Sequence, residues 1–466
     1  MMRRSNPSLD YFFRPRAVTL IGASSKPSKI GHESLRSLLM TGYSGKVYPV
    51  NPRADEILGL KAYPSILDVP GEVDLAVITL PARAVIDAMR DCVKKGVKAV
   101  VIISGGFGEA GPEGKRIEEE VVRLAKEGGI RIIGPNCIGV FDGHSRVDTS
   151  FQPHERMGRP GPGVVAFLSQ SGTFGATFLD WAAEDHLGVS KMVSLGNRAD
   201  VDEADLISYF AEDPETQVIG VYVESFTRGR ELMEAVRNAR KPVVVYKASR
   251  TEKGSLAAVS HTGRMVAIHE VASSALKQAG ALLVDSFGEL YAAIKALAKQ
   301  PVMRGGGVVM VTNGAGPCVM AADELVMKGV PLAQLSEEAK EELRNSLPPY
   351  ALVGDFVIDL TGSANTSDYL NALEVLVRAE EVGLLGVFVV FQDSPLEDDF
   401  AEILSRFDTG GKPLLVFAAG GRYTREKRSL LERAGIPTHD DVREFASASL
   451  ALWWWGNHER QGALGV

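Results

Sequence analysis

Residues 98–137 read KAVVIISGGFGEAGPEGKRIEEEVVRLAKEGGIRIIGPNC. Two apolar runs, KAVVIISGG (98–106) and IRIIGPNC (130–137), flank GPEGKRIEEEVVRLAKEGG (111–129), where apolar positions recur three and four apart and glycines close the stretch. A continuous apolar run, rather than an alternating one, marks a strand covered on both faces. A helix-period crossover between two such runs indicates neighbouring strands of a parallel sheet. The pattern extends backwards through AVTLIGAS (17–24), KVYPVNP (46–52) and LAVITLP (75–81).

Working forwards, residues 139–163 have little periodicity and several prolines, and read as a linker. The pattern restarts with VVAFLSQSG (164–172), KMVSLGN (191–197), VIGVYVES (218–225), PVVVYKAS (242–249) and ALLVDS (281–286). It breaks at AKQPVMRGGG (298–307), then runs through GVVMVTNGAG (307–316), GVPLAQLS (329–336), LGVFVVFQD (385–393) and PLLVFAAGG (413–421). The expected fold class is α/β, with three doubly wound parallel-sheet domains at 1–140, 160–298 and 305–456. The 466 residues agree with that count, at about 150 residues per domain.

Composition narrows the function. With 51 Lys plus Arg against 59 Asp plus Glu, the formal charge is −8. An acidic chain without a dense basic run is poorly suited to nucleic acid or anionic lipid. Cys92, Cys137 and Cys318 form no CxxC spacing, so neither a disulfide framework nor a zinc site is expected, and a reducing cytoplasm suits them. The start, MMRRSNPSLDYFFRPR, lacks the apolar core of a signal peptide, and no apolar stretch is long enough to span a membrane.

Doubly wound domains bind ligands beyond the C-terminal ends of their strands. The first such turn is Gly22-Ala23-Ser24-Ser25, which reads either as a phosphate-receptive turn or as structural punctuation. After the second strand comes Asn51-Pro52-Arg53, where an NAD enzyme would carry an acid. Arg53 instead suits a phosphorylated ribose, as in NADP or coenzyme A, or is a solvated surface arginine. Ser104-Gly105-Gly106-Phe107 and Gly134-Pro135-Asn136 end later strands on the same edge. Ser169-Gln170-Ser171-Gly172-Thr173 and Thr312-Asn313-Gly314-Ala315-Gly316-Pro317 are two further strand-to-helix turns suited to a small anion. Neither has the GxSxG spacing of a nucleophile elbow nor the Gly-Lys-Ser/Thr of a P-loop. His261 stands among small residues in Ala257-Ala258-Val259-Ser260-His261-Thr262-Gly263, and Glu224 ends a strand. An imidazole is a good nucleophile near neutral pH, and a carboxylate on one ring nitrogen orients the other. Each also has a plain structural reading.

Together VYPVNPR, GPNC (134–137), SQSG (169–172), KPVVVYKASRTEKGSLAAVSHTG (241–263) and TNGAGP (312–317) resemble the α subunit of NDP-forming acyl-CoA synthetases. This is the ADP-forming acetate–CoA ligase group, related to succinyl-CoA synthetase. The resemblance runs from about Tyr11 to about Leu452. It implies a Rossmann-like CoA-binding domain followed by two flavodoxin-like domains. It implies that Gly22, Ala23, Ser24, Arg53, Ile103, Ser104 and Gly105 hold the ADP moiety of coenzyme A. By the same resemblance His261 takes a phosphoryl group and Glu224 steadies it. Ser169, Gln170, Ser171, Gly172 and Thr173 form one phosphate clamp, and Asn313, Gly314, Ala315 and Gly316 the second. No metal is expected on these residues.

The 466 residues hold no ATP-grasp domain. The resemblance therefore implies ADP or ATP with Mg on a separate ATP-grasp β subunit, in a hetero-oligomer. The chain departs from the family at Ser249, where glycine is usual, at Arg264 after the histidine motif, and at Phe356-Val357-Ile358-Asp359-Leu360 in place of Asn-Pro-Val-Asp-Leu. Those departures keep open an alternative, a CoA- or acyl-CoA-binding protein of the same fold without turnover. An NADP oxidoreductase would explain Arg53 but neither anion-receptive turn.

Overall fold

The structure, a computed structural model, describes residues 9–254, 256 and 268–464, with side chains as far as 458. The chain divides into two compact units, Met1–Glu184 with Gly188–Leu283, and Asp185–Leu187 with Val284–Val466.

The first unit holds two large sheets. In the first, Lys46–Val50, Ala17–Ile21, Leu75–Ile78, Ala99–Ile102 and Arg131–Ile133 lie side by side in that order, all parallel. Numbered along the chain, the order is 2-1-3-4-5. Leu75–Ile78 and Ala99–Ile102 are buried along their whole length, as their unbroken apolar sequence requires. Each Val, Leu or Ile among them contributes roughly 1.5–3 kcal/mol on leaving water. The crossover Pro112–Gly128 starts at a proline and ends against Gly129, and its buried face is Val121, Leu124 and Ala125.

The second sheet repeats the winding. Val189–Ser194, Pro162–Ser169, Val218–Val223, Val243–Lys247 and Leu282–Val284 again stand in the order 2-1-3-4-5. An antiparallel strand, Val140–Asp142, is added beside Val189–Ser194. Residues 139–163 are therefore not wholly a linker: three of them form a buried edge strand, too short to show a period.

The second unit winds a third sheet the same way, with Val357–Asp359, Gly307–Thr312, Val382–Phe388, Leu414–Phe417 and Thr438–His439 in the order 2-1-3-4-5. Leu352–Val353 pairs antiparallel beyond Val357–Asp359. The expected strand GVPLAQLS (329–336) is reduced to one bridge, between Val308 and Leu332. Pro331 has no N–H for a ladder, and Val357–Asp359 takes the sheet position. Lys295 explains why Asp185–Leu187 join this unit. Its buried ammonium donates to Asp185 Oδ2 at 2.8 Å, Glu432 Oε1 at 2.6 Å and Thr438 O at 2.9 Å. Three of the four tryptophans, Trp453, Trp454 and Trp455, lie on the last helix, Val442–Leu464. Trp453 packs on the core, and Trp455 stacks on His458 with ring centroids 4.9 Å apart.

In a sheet of order 2-1-3-4-5 the chain winds in opposite directions from strands 1 and 3, and a crevice opens between their C-terminal ends. The three crevices fall at Gly22, at Ser169 and at Thr312.

Candidate functional site

At the first crevice Gly22 has φ +97° and donates its N–H to Val50 O at 3.1 Å. A Cβ there would stand 2.7 Å from Thr79 Oγ1, and one on Gly31 would stand 2.1 Å from Gly22 O. Helix Ile30–Met40 thus presses its first turn on the Gly22–Ser25 loop because neither glycine has a side chain. Ala23 is buried and Ser24 half-buried. Their carbonyls are held by Asn51 Nδ2 at 2.7 Å and by His32 Nδ1 at 3.0 Å, respectively. Arg53 is exposed, and its N–H donates to Asn51 Oδ1 at 2.8 Å. Ile103 is buried, Ser104 half-buried and Gly105 exposed, beyond the end of Ala99–Ile102. Ser104 O accepts from Asn136 N at 2.9 Å. Asn51, Thr79 and His32 shape this crevice, and only Asn51 lay within a motif that sequence reading singled out.

At the second crevice the turn after Pro162–Ser169 folds on itself. Ser169 Oγ donates to Ser171 O at 2.7 Å and accepts from Ser171 N at 3.1 Å. Ser171 Oγ accepts from Phe174 N at 3.4 Å. The N–H groups of Gly172 and Thr173, at the start of helix Gly172–Glu184, have no acceptor among the described residues. Such a helix start carries partial positive charge. Across the crevice, Glu224 follows Val218–Val223 and is buried. Its Oε1 accepts from Tyr222 Oη at 3.3 Å, while Oε2 is buried with no hydrogen-bond partner among the described residues. Lys247, one strand further, is buried and donates to its neighbour's carbonyl, Ala248 O, at 2.5 Å. Burial pushes the Lys247 amine down to about 8, against the opposing pull of Glu224. Gln170 spans the crevice, its amide bonded to the backbone of Glu224 and Ser225.

The third crevice repeats the turn. Thr312 Oγ1 donates to Gly314 O at 2.9 Å and accepts from Gly314 N at 2.9 Å. Asn313 bridges to Val390, accepting from its N–H at 2.8 Å and donating to its carbonyl at 3.1 Å. Asn313 also accepts from Tyr369 Oη at 2.8 Å and donates to Asp393 Oδ2 at 3.1 Å. Ala315 and Gly316 open helix Gly316–Met327 with N–H groups unclaimed among the described residues.

His261 and Arg264 lie outside the described residues. Ser249 has φ +62°. That is left-handed backbone, which glycine adopts at the least cost. Phe356 packs half-buried on the core just before strand Val357–Asp359.

These crevices define a class: α/β proteins whose doubly wound sheets each present an anion-receptive strand-to-helix turn at the switch point. Comparisons with known proteins make it specific. Residues 16–142 match the CoA binding domain family and residues 162–297 the succinyl-CoA ligase like flavodoxin domain family. The chain is 40% identical over 451 residues to the acetate–CoA ligase [ADP-forming] II subunit alpha of Pyrococcus furiosus, covering 95% of this chain and 97% of that one. It is 38% identical to the I subunit alpha of the same organism, covering 96% and 98%. Among solved structures it is similar to an acetyl-coenzyme A synthetase 1 of Ca. Korarchaeum cryptofilum in complex with phosphate and ADP. There the TM-score is 0.89 and the identity 36%, covering 98% of this chain and 99% of that one. The chain belongs to the family of α subunits of ADP-forming acetate–CoA ligases. Among the described residues no helix is long and apolar enough to cross a membrane.

Proposed function

We propose that this chain is the catalytic α subunit of an ADP-forming acyl-CoA synthetase working through phosphorylated His261. The observation that carries the reading is Glu224: a buried carboxylate with one oxygen unpartnered among the described residues, in a crevice whose helix start has two unclaimed N–H groups. A buried carboxylate oxygen left without a donor is costly. An imidazole N–H satisfies it and is oriented in return.

The reaction has three transfers. A phosphate oxygen attacks the thioester carbonyl; the C–S bond breaks and coenzyme A leaves as thiolate. His261 then attacks phosphorus, the acyl P–O bond breaks, and the carboxylate leaves. Finally an oxygen of the ADP β-phosphate attacks phosphorus and the N–P bond breaks, giving ATP. Glu224 holds the second ring nitrogen of His261 throughout. Gly172 and Thr173 offer N–H groups to the phosphoryl oxygens in one state, and Ala315 and Gly316 in another. Gly22, Ala23, Ser24, Arg53, Ile103, Ser104 and Gly105 hold the ADP moiety of coenzyme A. We assign domains to 1–140, 160–298 and 305–456, and ADP or ATP with Mg to an ATP-grasp β subunit in the cytoplasm.

The test is the chain purified together with an ATP-grasp partner and given terminally labelled ATP. The expected result is acid-labile, base-stable label on this chain, absent from His261→Ala. No label with any partner would leave coenzyme A binding alone and end the proposal.

A further inference from the structure

Gln170 is buried, at 8% exposure, and its backbone N–H and both ends of its side-chain amide are engaged. Its backbone N–H donates to Tyr222 O at 3.2 Å. Its Oε1 accepts from Glu224 N at 2.8 Å and Ser225 N at 3.2 Å. Its Nε2 donates to Ser225 O at 2.7 Å and to Glu203 Oε1. A side-chain amide has two donor hydrogens and two acceptor sites, so Gln170 has no donor left for a phosphate. Arg198, also buried, closes the ring. Its Nη1 donates to Glu203 Oε1 at 3.0 Å and Ser225 O at 2.7 Å, and its Nη2 to Ser225 Oγ at 2.7 Å.

The geometry points to Gln170 as a positioning residue for Glu224, not a ligand of the phosphoryl group. Anchored on Glu203 beside Arg198, it fixes the backbone of Glu224 and Ser225 and so aims the carboxylate into the crevice. A carboxylate that supports a transferring group by one hydrogen bond tolerates little displacement, and a misplacement of about 1 Å can cost on the order of 10²-fold. The third sheet builds the same bridge independently: Asn313, at the matching position after its first strand, binds both the N–H and the carbonyl of Val390. This inference rests on Glu224 acting with phosphorylated His261.

The experiment uses the chain assembled with its ATP-grasp partner, acetyl-CoA and labelled inorganic phosphate, in single turnover. Gln170→Leu is expected to slow the appearance of acid-labile label on the order of 10²-fold. The KM for phosphate and the Kd for coenzyme A stay unchanged, and the amides of Glu224 and Ser225 exchange faster with solvent. Gln170→Glu keeps an acceptor for the amides of Glu224 and Ser225 but turns an oxygen toward Ser225 O and Glu203; it is expected to be slowed as well, and carries the test should the leucine variant not fold. Labelling of Gln170→Leu at the wild-type rate overturns the inference. So does a raised KM for phosphate at unchanged kcat, which would make Gln170 a ligand. Wild-type protein that takes up no label brings down the phosphohistidine reading instead, and amide exchange at Glu224 and Ser225 then decides whether the bridge exists.

Discussion

The crevices at Ser169 and Thr312 are built alike and furnished differently. Each turn closes on a hydroxyl that binds the residue two places on, and each is bridged by an amide side chain to the end of the third strand. Sheet register pairs Ser169 with Tyr222 and Thr312 with Phe388, so Val390 stands where Glu224 does. By the same register Ala418 stands for Lys247, and Phe388 for the hydroxyl-bearing Tyr222. One crevice therefore holds an acid, an amine and a phenol that the other replaces with apolar groups. An anion-receptive helix start is a property of the winding and the turn. The acid, the amine and the phenol are side chains laid over it.

The largest effect expected from this difference is on turnover. Glu224→Gln keeps the shape and removes the charge, and should lower turnover of the assembled enzyme by roughly 10²–10⁴, with coenzyme A affinity intact. Val390→Thr, the matched isosteric change, should leave turnover unchanged. Steady-state kinetics of the two variants breaks the division of labour if both fall together.

The bridges come next. Asn313→Leu strands the N–H of Val390, which costs about 1–3 kcal/mol when left unpaired, while the Val390 carbonyl keeps the Asp393 N–H and the Tyr369 hydroxyl keeps Phe388 O. Exchange of the amides in 388–393 should accelerate accordingly. Protection equal to the wild type would show that the strand ends hold themselves.

Lys247 separates the two crevices by pH. Its folded value of about 8 lies below the ordinary 10.5, so between those values the unfolded chain binds more protons and stability rises with pH. The burial cost is full below pH 8 and gone above 10.5. Lys247→Met should remove that upward slope from denaturation midpoints, whereas Ala418→Val should leave it. The smallest effect belongs to Ser249→Gly. Relieving φ +62° should gain roughly 1 kcal/mol, and a loss would mean that the hydroxyl contributes more than the backbone strain costs.

Most of the winding was legible because doubly covered strands are apolar throughout, as at Leu75–Ile78 and Val382–Phe388. Strands of two or three residues, such as Val140–Asp142 and Leu352–Val353, carry no period and were not. The strand expected at 329–336 failed on the missing N–H of Pro331. Glu224 was legible as an acid closing a strand, and Ser249 as a departure from glycine. The inward turn of Gln170 was not, because a polar residue in a strand-to-helix turn looks the same whether its amide faces ligand or backbone. That distinction depends on Glu203 and Ser225, which the sequence separates from it by 33 and 55 residues.

The short antiparallel strands have a consequence for how these sheets behave in a crowd. An open sheet edge is a template for another chain. In the second sheet Val140–Asp142 covers one side and the other ends in the three residues Leu282–Val284; in the third, Leu352–Val353 and Thr438–His439 are two residues each. The first sheet ends in Arg131–Ile133 on one side, and its other edge strand, Lys46–Val50, contains Pro49, which offers no donor. Among the described residues no edge of the three sheets presents a long row of free donors, so these edges give folded copies little with which to recruit one another into fibres.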